Sequence, residues 1–87
     1  MVYKIEWKKE ALKELEKLDN SIKIQISKFI DKLQKAESPK MLGKPLKDNL
    51  AGYWGYRVGN YRIIAEILDD KLVILIVDIG HRKEVYK

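Results

Sequence analysis

The spacing of apolar residues changes near residue 52, and that change limits the folds the chain can adopt. Between residues 8 and 33 the apolar residues recur every three or four positions, a spacing typical of amphipathic helices. After residue 52 they alternate with a period of two, which is typical of strands. Helices grouped in one half and strands in the other predict an α+β domain.

The first half divides into a strand and two helices. Residues Val2 to Trp7 alternate and predict an opening strand, and residues Lys8 to Leu18 predict the first helix. Asp19 is a suitable N-cap for a second helix, which we expect to end by Ser38 because the following proline disfavours helical geometry there. The short break between the helices predicts an antiparallel helical hairpin.

The second half predicts an antiparallel meander. Residues 39 to 52 are expected to form an ordered loop, pinned to the core by three leucines at 42, 46 and 50. Three strand-like runs follow, at 53–58, 61–68 and 72–79, separated by the turn signals Gly59-Asn60 and Asp69-Asp70. The last run is apolar at its odd and its even positions, so both of its faces should be covered and we expect it in the middle of the sheet. The predicted fold is one small domain over residues 1–87, β-α-α-β-β-β, whose antiparallel sheet carries the helical hairpin on one face.

The composition of the chain argues against several classes of function and of catalytic site. The chain has no cysteine, a single histidine and a net charge of +5, and no apolar run approaches the roughly 18 residues of a membrane span. No secretory signal is visible, so we expect a cytoplasmic protein. The positive net charge predicts an anionic partner. No pattern for a metal site, a catalytic triad or a phosphate-binding glycine loop occurs, and therefore no metal or cofactor is predicted.

The arginines are concentrated in the strand half. Of the 18 cationic residues 15 are lysines, whereas the three arginines, Arg57, Arg62 and Arg82, all follow residue 51. Arginine suits phosphate better than lysine does. Four aromatic residues on the same strands could offer stacking surfaces for bases, although strands also favour aromatics for packing: Tyr53, Trp54, Tyr56 and Tyr61. An ion pair with Glu66 on the same strand face is the structural alternative for Arg62.

These residues suit a metal-free ribonuclease, in which the 2′-hydroxyl of the RNA attacks the adjacent phosphate. Arginine and Lys83 can neutralise the charge on phosphorus, while Tyr86 or His81 can transfer protons. Tyrosine as a base would need its pKa lowered by about 3 units, so the acid role is favoured for Tyr86. The reference pKa of a histidine suits either role, and the sequence does not give the side-chain direction of His81.

The whole chain resembles the RelE/ParE superfamily of toxins, and its RelE branch most. The resemblance is carried by the pattern from Leu46 to Gly52, by the run from Arg57 to Arg62, and by Gly-His-Arg-Lys-Glu-Val-Tyr at residues 80–86. It implies a toxin that enters the ribosomal A site, contacts ribosomal RNA there and cuts the mRNA. It also implies an acidic RelB-like antitoxin, which neutralises the toxin. It also implies that Arg62 binds phosphate, that Arg82 is a second active-site arginine, and that Tyr86 is the catalytic, base-stacking tyrosine.

One departure from the family leaves part of the site open. Some members carry two active-site lysines on the first meander strand, where this chain has Tyr53 and Gly55. Their role would fall to one of four other residues, namely Arg57, Lys44, Lys47 or His81. Two other functions remain as alternatives. One is a ParE-like toxin that inhibits DNA gyrase without cleaving RNA, although ParE-like members generally lack the terminal tyrosine motif. The other is an RNA-binding domain that does not cleave its RNA.

Overall fold

A computed structural model describes residues 3–81 of the 87-residue chain. Within that range the chain forms two helices, five strands and two short 3₁₀ turns. In chain order the elements are β1 (Lys4–Trp7), α1 (Lys9–Glu16), α2 (Asn20–Lys35), a 3₁₀ turn (Pro39–Leu42), β2 (Lys44–Pro45), a second 3₁₀ turn (Asp48–Leu50), β3 (Trp54–Val58), β4 (Tyr61–Leu68) and β5 (Val73–His81). Neither helix in this range is long and apolar enough to cross a membrane.

The helices follow from their apolar spacing. In α2 the buried residues Ile26, Ile30 and Leu33 lie four and three positions apart, which places them on one side of the helix. Asp19 is its N-cap, as predicted, although the capping side chain makes no hydrogen bond. The helix ends before Ser38, also as predicted, because Ala36 already has an extended backbone.

The five strands form one sheet in the order β1-β5-β4-β3-β2. The sheet is mixed rather than wholly antiparallel, because β1 runs parallel to β5 while every other neighbouring pair is antiparallel. A parallel pair needs a crossover connection, and the two helices begin the chain segment that separates β1 from the meander. The last run, β5, lies between β1 and β4, so its predicted place inside the sheet is confirmed.

The predicted loop between α2 and β3 is more structured than expected. It contains both 3₁₀ turns and the two-residue strand β2, which pairs with β3 at the edge of the sheet. Of its three leucines, Leu42 packs against the core, while the side chain of Leu46 lies over Gly55 in β3. The loop is therefore ordered and extends the sheet by one strand.

The core lies between the helices and one face of the sheet, called here the helix face. Its buried residues come from both helices and from three strands: Ala11, Ile26, Ile30, Leu33, Tyr56, Val58, Ile63, Ala65, Ile74, Ile76 and Ile79. The alternating residues of the same strands point to the opposite face, called here the groove face. A β-bulge at Val77 interrupts this alternation in β5, since Ile64 pairs with Asp78 whereas Ala65 pairs with Ile76.

Candidate nucleic-acid interface

The β3–β4 hairpin sets two arginines side by side on the groove face. Its turn is made by Gly59 and Asn60, and Gly59 has a φ of 60°, a conformation that glycine adopts without strain. This turn fixes a register in which Arg57 is directly opposite Arg62. Two guanidinium groups side by side on one face of a sheet form a surface that suits an anion.

A groove of about 340 Å³ lies over these arginines. We call it the cation groove; it is lined by Met41, Leu42, Gly43, Lys44, Gly55, Arg57 and Arg62. Lys44 comes from β2, where it is directly opposite Gly55. Three cations from three adjacent strands therefore converge on one concave surface, which is an arrangement suited to phosphate.

The two arginines differ in their exposure. Arg62 is only 3 % exposed, so the surrounding residues hold its guanidinium in place. Arg57 and Lys44 are exposed and can adjust to a ligand. Gly55 keeps the groove open, because a Cβ atom there would lie 3.4 Å from Nη1 of Arg62 and 3.0 Å from Cδ2 of Leu46.

One wall of the cation groove is the 3₁₀ turn Pro39–Leu42, called here the rim turn. The buried hydroxyl of Tyr56 donates a hydrogen bond of 2.9 Å to the carbonyl oxygen of Pro39. Burial raises the pKa of Tyr56 to about 12, so this hydroxyl stays protonated and serves as a structural donor. Gly43, which follows the turn, lies against the ring of Tyr56, where a Cβ atom would come within 2.6 Å of Cε1.

A second contact ties the rim turn to the β4–β5 connection. Nζ of Lys40 lies 2.7 Å from Oδ2 of Asp69, and the hydroxyl of Tyr3 donates to Oδ1 of the same carboxylate at 2.8 Å. The hydrogen bonds from Lys40 and Tyr3 lower the pKa of Asp69, while the bond to Asp69 raises the pKa of Tyr3. The rim turn is thus attached to the body of the domain through its first two residues, Pro39 and Lys40.

His81 lies on the other side of the sheet from the cation groove. It pairs with Tyr61, and the two rings meet edge to face with centroids 5.6 Å apart. Tyr61 shares the helix face with its other partner, Val58, which is part of the core. The structure therefore separates His81 from Arg57 and Arg62, two of the arginines with which the sequence grouped it.

Three of the four aromatic residues suggested as stacking partners also face away from the arginines. Trp54 and Tyr56 alternate with Arg57 along β3, and Tyr61 alternates with Arg62 along β4, so all three lie on the helix face. The interpretation of these three aromatics as stacking surfaces beside Arg57 and Arg62 is therefore wrong, because adjacent residues of a strand point to opposite faces.

The remaining predicted residues divide into two groups. Lys47 precedes the second 3₁₀ turn and does not line the cation groove. Arg82, Lys83 and Tyr86 lie outside the described residues. Among residues 3–81, no cluster of three or more acidic or histidine side chains could hold a metal ion. Sequence reasoning missed Met41 and Gly55 as parts of the site, since neither residue type signals a binding role by itself.

Comparison with known proteins identifies the fold and the family. Residues 5–86 match the family model described as ParE toxin of type II toxin-antitoxin system, parDE. The chain is 30 % identical to toxin RelG of Mycobacterium tuberculosis, over all of this chain and 99 % of that protein. It is 29 % identical to mRNA interferase toxin RelE of Escherichia coli, over 99 % of this chain and 92 % of that protein.

A solved structure agrees with these matches. The toxin-antitoxin complex RelBE2 of M. tuberculosis contains a chain that superimposes with a TM-score of 0.85 at 30 % identity, covering 94 % of this chain and all of that one. This chain belongs to the RelE/ParE family of toxins from type II toxin-antitoxin systems.

Proposed function

We propose that this toxin is a ribosome-dependent endoribonuclease that cleaves mRNA in the ribosomal A site without a metal ion or other cofactor. The relative named an mRNA interferase supports this reaction class. The observation that carries the proposal is the cation groove, where Arg57 is directly opposite Arg62 and Lys44 comes from the next strand. Such a surface suits a phosphodiester whose negative charge grows during the reaction.

In the proposed reaction, the 2′-hydroxyl of the RNA releases its proton to solvent water as its oxygen forms a bond to phosphorus, while the bond from phosphorus to the 5′-oxygen breaks. The products are a 2′,3′-cyclic phosphate and a free 5′-hydroxyl. Arg62, held by its surroundings, would bind a non-bridging oxygen in a fixed direction. The exposed Arg57 and Lys44 would close on the same phosphate and replace the lysine pair that some relatives carry on the first meander strand.

Proton transfer is assigned to the C-terminal segment. Because His81 lies on the helix face, Tyr86 would protonate the 5′-oxygen, and Arg82 and Lys83 would also stabilise the phosphate. A tyrosine can act as the acid with its ordinary pKa, whereas the base role would need a pKa lowered by about 3 units. Substitution of His81 is therefore expected to reduce cleavage much less than substitution of Tyr86.

The test is cleavage of an mRNA on programmed ribosomes, mapped by primer extension. Cuts are expected within the A-site codon, and Arg57→Ala, Arg62→Ala, Arg82→Ala and Tyr86→Phe should each lower the single-turnover rate by about 10²-fold or more. Lys47→Ala is the matched control, since it removes a nearby exposed lysine outside the cation groove. A 2′-deoxy nucleotide at the cleaved position should abolish the reaction.

Two results would contradict this mechanism. Cleavage that persists with the 2′-deoxy substrate, or products without a cyclic phosphate, would exclude attack by the 2′-hydroxyl. A folded, toxic wild-type protein that leaves mRNA intact would exclude the ribonuclease altogether.

Inhibition of DNA gyrase is the second candidate function, because the matching family model is described as a ParE toxin. In that case the purified toxin should block supercoiling by gyrase, and Tyr86→Phe should remain toxic. A supercoiling assay run beside the ribosome assay separates the two candidates. The mRNA interferase is preferred because the C-terminal Val-Tyr motif is the part of the sequence that ParE-like members generally lack.

The proposed partner is an acidic, RelB-like antitoxin. A related toxin chain has been solved in a toxin-antitoxin complex, and this chain carries a net charge of +5. Leu12 of α1 and Ile24 of α2 are 43 % and 55 % exposed, and we expect the antitoxin to cover apolar side chains of this kind. Leu12→Ser and Ile24→Ser should then weaken antitoxin binding in calorimetry without lowering the Tm of the free toxin.

A further inference from the structure

Met41 is the most exposed large apolar residue in the described part of the chain, at 84 %. Single exposed apolar residues are common and need no explanation by themselves. Met41, however, lines the cation groove beside Lys44 and Arg57. An apolar side chain at the edge of a phosphate-binding surface is placed to contact whatever apolar group the phosphate carries.

The position of Met41 is fixed by the rim turn. Its own N–H bonds the carbonyl oxygen of Ser38 at 3.1 Å. On one side of it Pro39 accepts the hydrogen bond from Tyr56, and Lys40 is paired with Asp69; on the other side Gly43 packs on the ring of Tyr56. The backbone at Met41 is therefore held while its side chain projects into solvent.

The aromatic residues of β3 and β4 do not serve the groove. Trp54, Tyr56 and Tyr61 lie on the helix face, and the other large apolar residue of the groove, Leu42, packs against the core. Among the described residues, Met41 is thus the large apolar side chain that the groove presents to a ligand. Methionine suits this role, because its unbranched thioether adapts to flat rings and makes favourable sulfur–aromatic contacts.

We propose that Met41 binds the nucleobase of the nucleotide whose phosphate lies on Arg57 and Lys44. The inference rests on the proposed function and names a further substrate contact in the same groove. Because the contact is apolar and flexible, it should accept any base and contribute affinity rather than codon choice.

The direct test observes the methionine methyl group. The chain contains two methionines, so ¹³C-methyl labelling gives two signals, and Met41→Leu assigns them. The full-length toxin is titrated with an uncleavable 2′-O-methyl trinucleotide, with the same trinucleotide lacking its middle base, and with inorganic phosphate. Stacking of a base should move the Met41 methyl signal upfield through the ring current, whereas the abasic trinucleotide and phosphate should not.

Affinity provides the second measurement. A sulfur–aromatic contact corresponds to a loss of about two- to tenfold in trinucleotide affinity for Met41→Ala, with near-wild-type affinity in Met41→Leu. The same variant should bind the abasic trinucleotide as the wild type does. Equal weakening of both ligands by Met41→Ala, or an upfield shift caused by phosphate alone, would overturn the base contact.

Arg57→Ala separates failure of this inference from failure of the proposed function. If Arg57→Ala weakens binding while Met41 variants and the methyl signal do not respond, the groove binds the trinucleotide and only the Met41 contact is refuted. If the wild type does not bind the trinucleotide, or Arg57→Ala leaves binding unchanged, the groove is not the substrate site and both are refuted.

Discussion

Replacing Tyr56 by phenylalanine tests whether one buried hydroxyl connects the core to the cation groove. The side chain is 1 % exposed, its ring lies 5.6 Å from that of Phe29, and its hydroxyl bonds the carbonyl oxygen of Pro39 at 2.9 Å. Phenylalanine keeps the ring and removes only the donor. The carbonyl oxygen of Pro39, which opens the rim turn, is then left without this bond.

The expected cost follows from that bond. A typical intramolecular hydrogen bond contributes about 0.5 to 1.5 kcal/mol net, and a buried group left unsatisfied costs about 1 to 3 kcal/mol. We therefore expect Tyr56→Phe to lower the free energy of unfolding by about 1 to 2 kcal/mol. For a domain of this size the Tm should fall by roughly 5 to 15 °C.

The effect should also depend on pH. Burial raises the pKa of Tyr56 from 10.0 to about 12, so the hydroxyl ionises at a lower pH in the unfolded chain than in the folded one. The stability that depends on the neutral hydroxyl is complete below about pH 10 and is lost as pH rises toward about 12. Tyr3, whose pKa is also raised, is present in both proteins and cancels in the comparison.

The assay is urea unfolding of both proteins at several pH values from 7 to 12. The stability difference between wild type and Tyr56→Phe should be constant up to about pH 10 and shrink above it. Tyr61→Phe is the control, because its ring packs on His81 and its hydroxyl makes no hydrogen bond within residues 3–81. Equal stability of wild type and Tyr56→Phe, or a difference that does not shrink, would refute the assigned bond.

Three further substitutions test the residues around the groove. Gly43→Ala brings a Cβ atom within 2.6 Å of the Gly55 carbonyl oxygen and should lower the free energy of unfolding in urea by about 1 to 3 kcal/mol; unchanged stability would mean that the close packing is wrong. Gly55→Ala places a Cβ atom 3.4 Å from Nη1 of Arg62, so it should weaken trinucleotide binding in calorimetry while lowering the free energy of unfolding less than Gly43→Ala does. A larger loss of stability in Gly55→Ala, with trinucleotide binding unchanged, would contradict the claim that Gly55 keeps the cation groove open. Asp69→Asn removes the ion pair with Lys40, so the Tm of the variant should be slightly lower than that of the wild type at pH 7. Because the pKa of Asp69 is lowered in the folded protein, this difference in Tm should vanish as pH falls below the ordinary range of a carboxyl group. A difference that persists in acid would exclude the ion pair as its cause.

Local patterns predicted most elements because each segment has a clear apolar period. The stripe containing Ile26, Ile30 and Leu33 identified α2, and β4 runs from Tyr61 to Leu68 as predicted. The parallel pairing of β1 could not be predicted in the same way. Alternation indicates that a segment is a strand, but the neighbour it pairs with is decided by how the helices cross the sheet.

The same distinction explains the site. The two-residue turn at Gly59 and Asn60 fixes the pairing of Arg57 with Arg62, so that part could be predicted from sequence. The direction of His81 could not, because the bulge at Val77 shifts the alternation in β5. Without the bulge, the face that holds Ile76 would next hold Asp78 and Gly80, and His81 would point to the groove face.

Alternate residues of strand β3 belong to the core and to the cation groove. Its register is therefore constrained by the packing of the core and by the lining of the groove. Tyr56 and Val58 enter the core, while Gly55 and Arg57 line the groove. A slip of one residue would bring Arg57 into the core and Tyr56 to the surface, and would break the bond that holds the rim turn. Errors in this register would thus remove stability and the cation groove together. Substitutions that weaken the core contacts of Tyr56 should accordingly reduce trinucleotide binding even though they lie on the opposite face from the arginines.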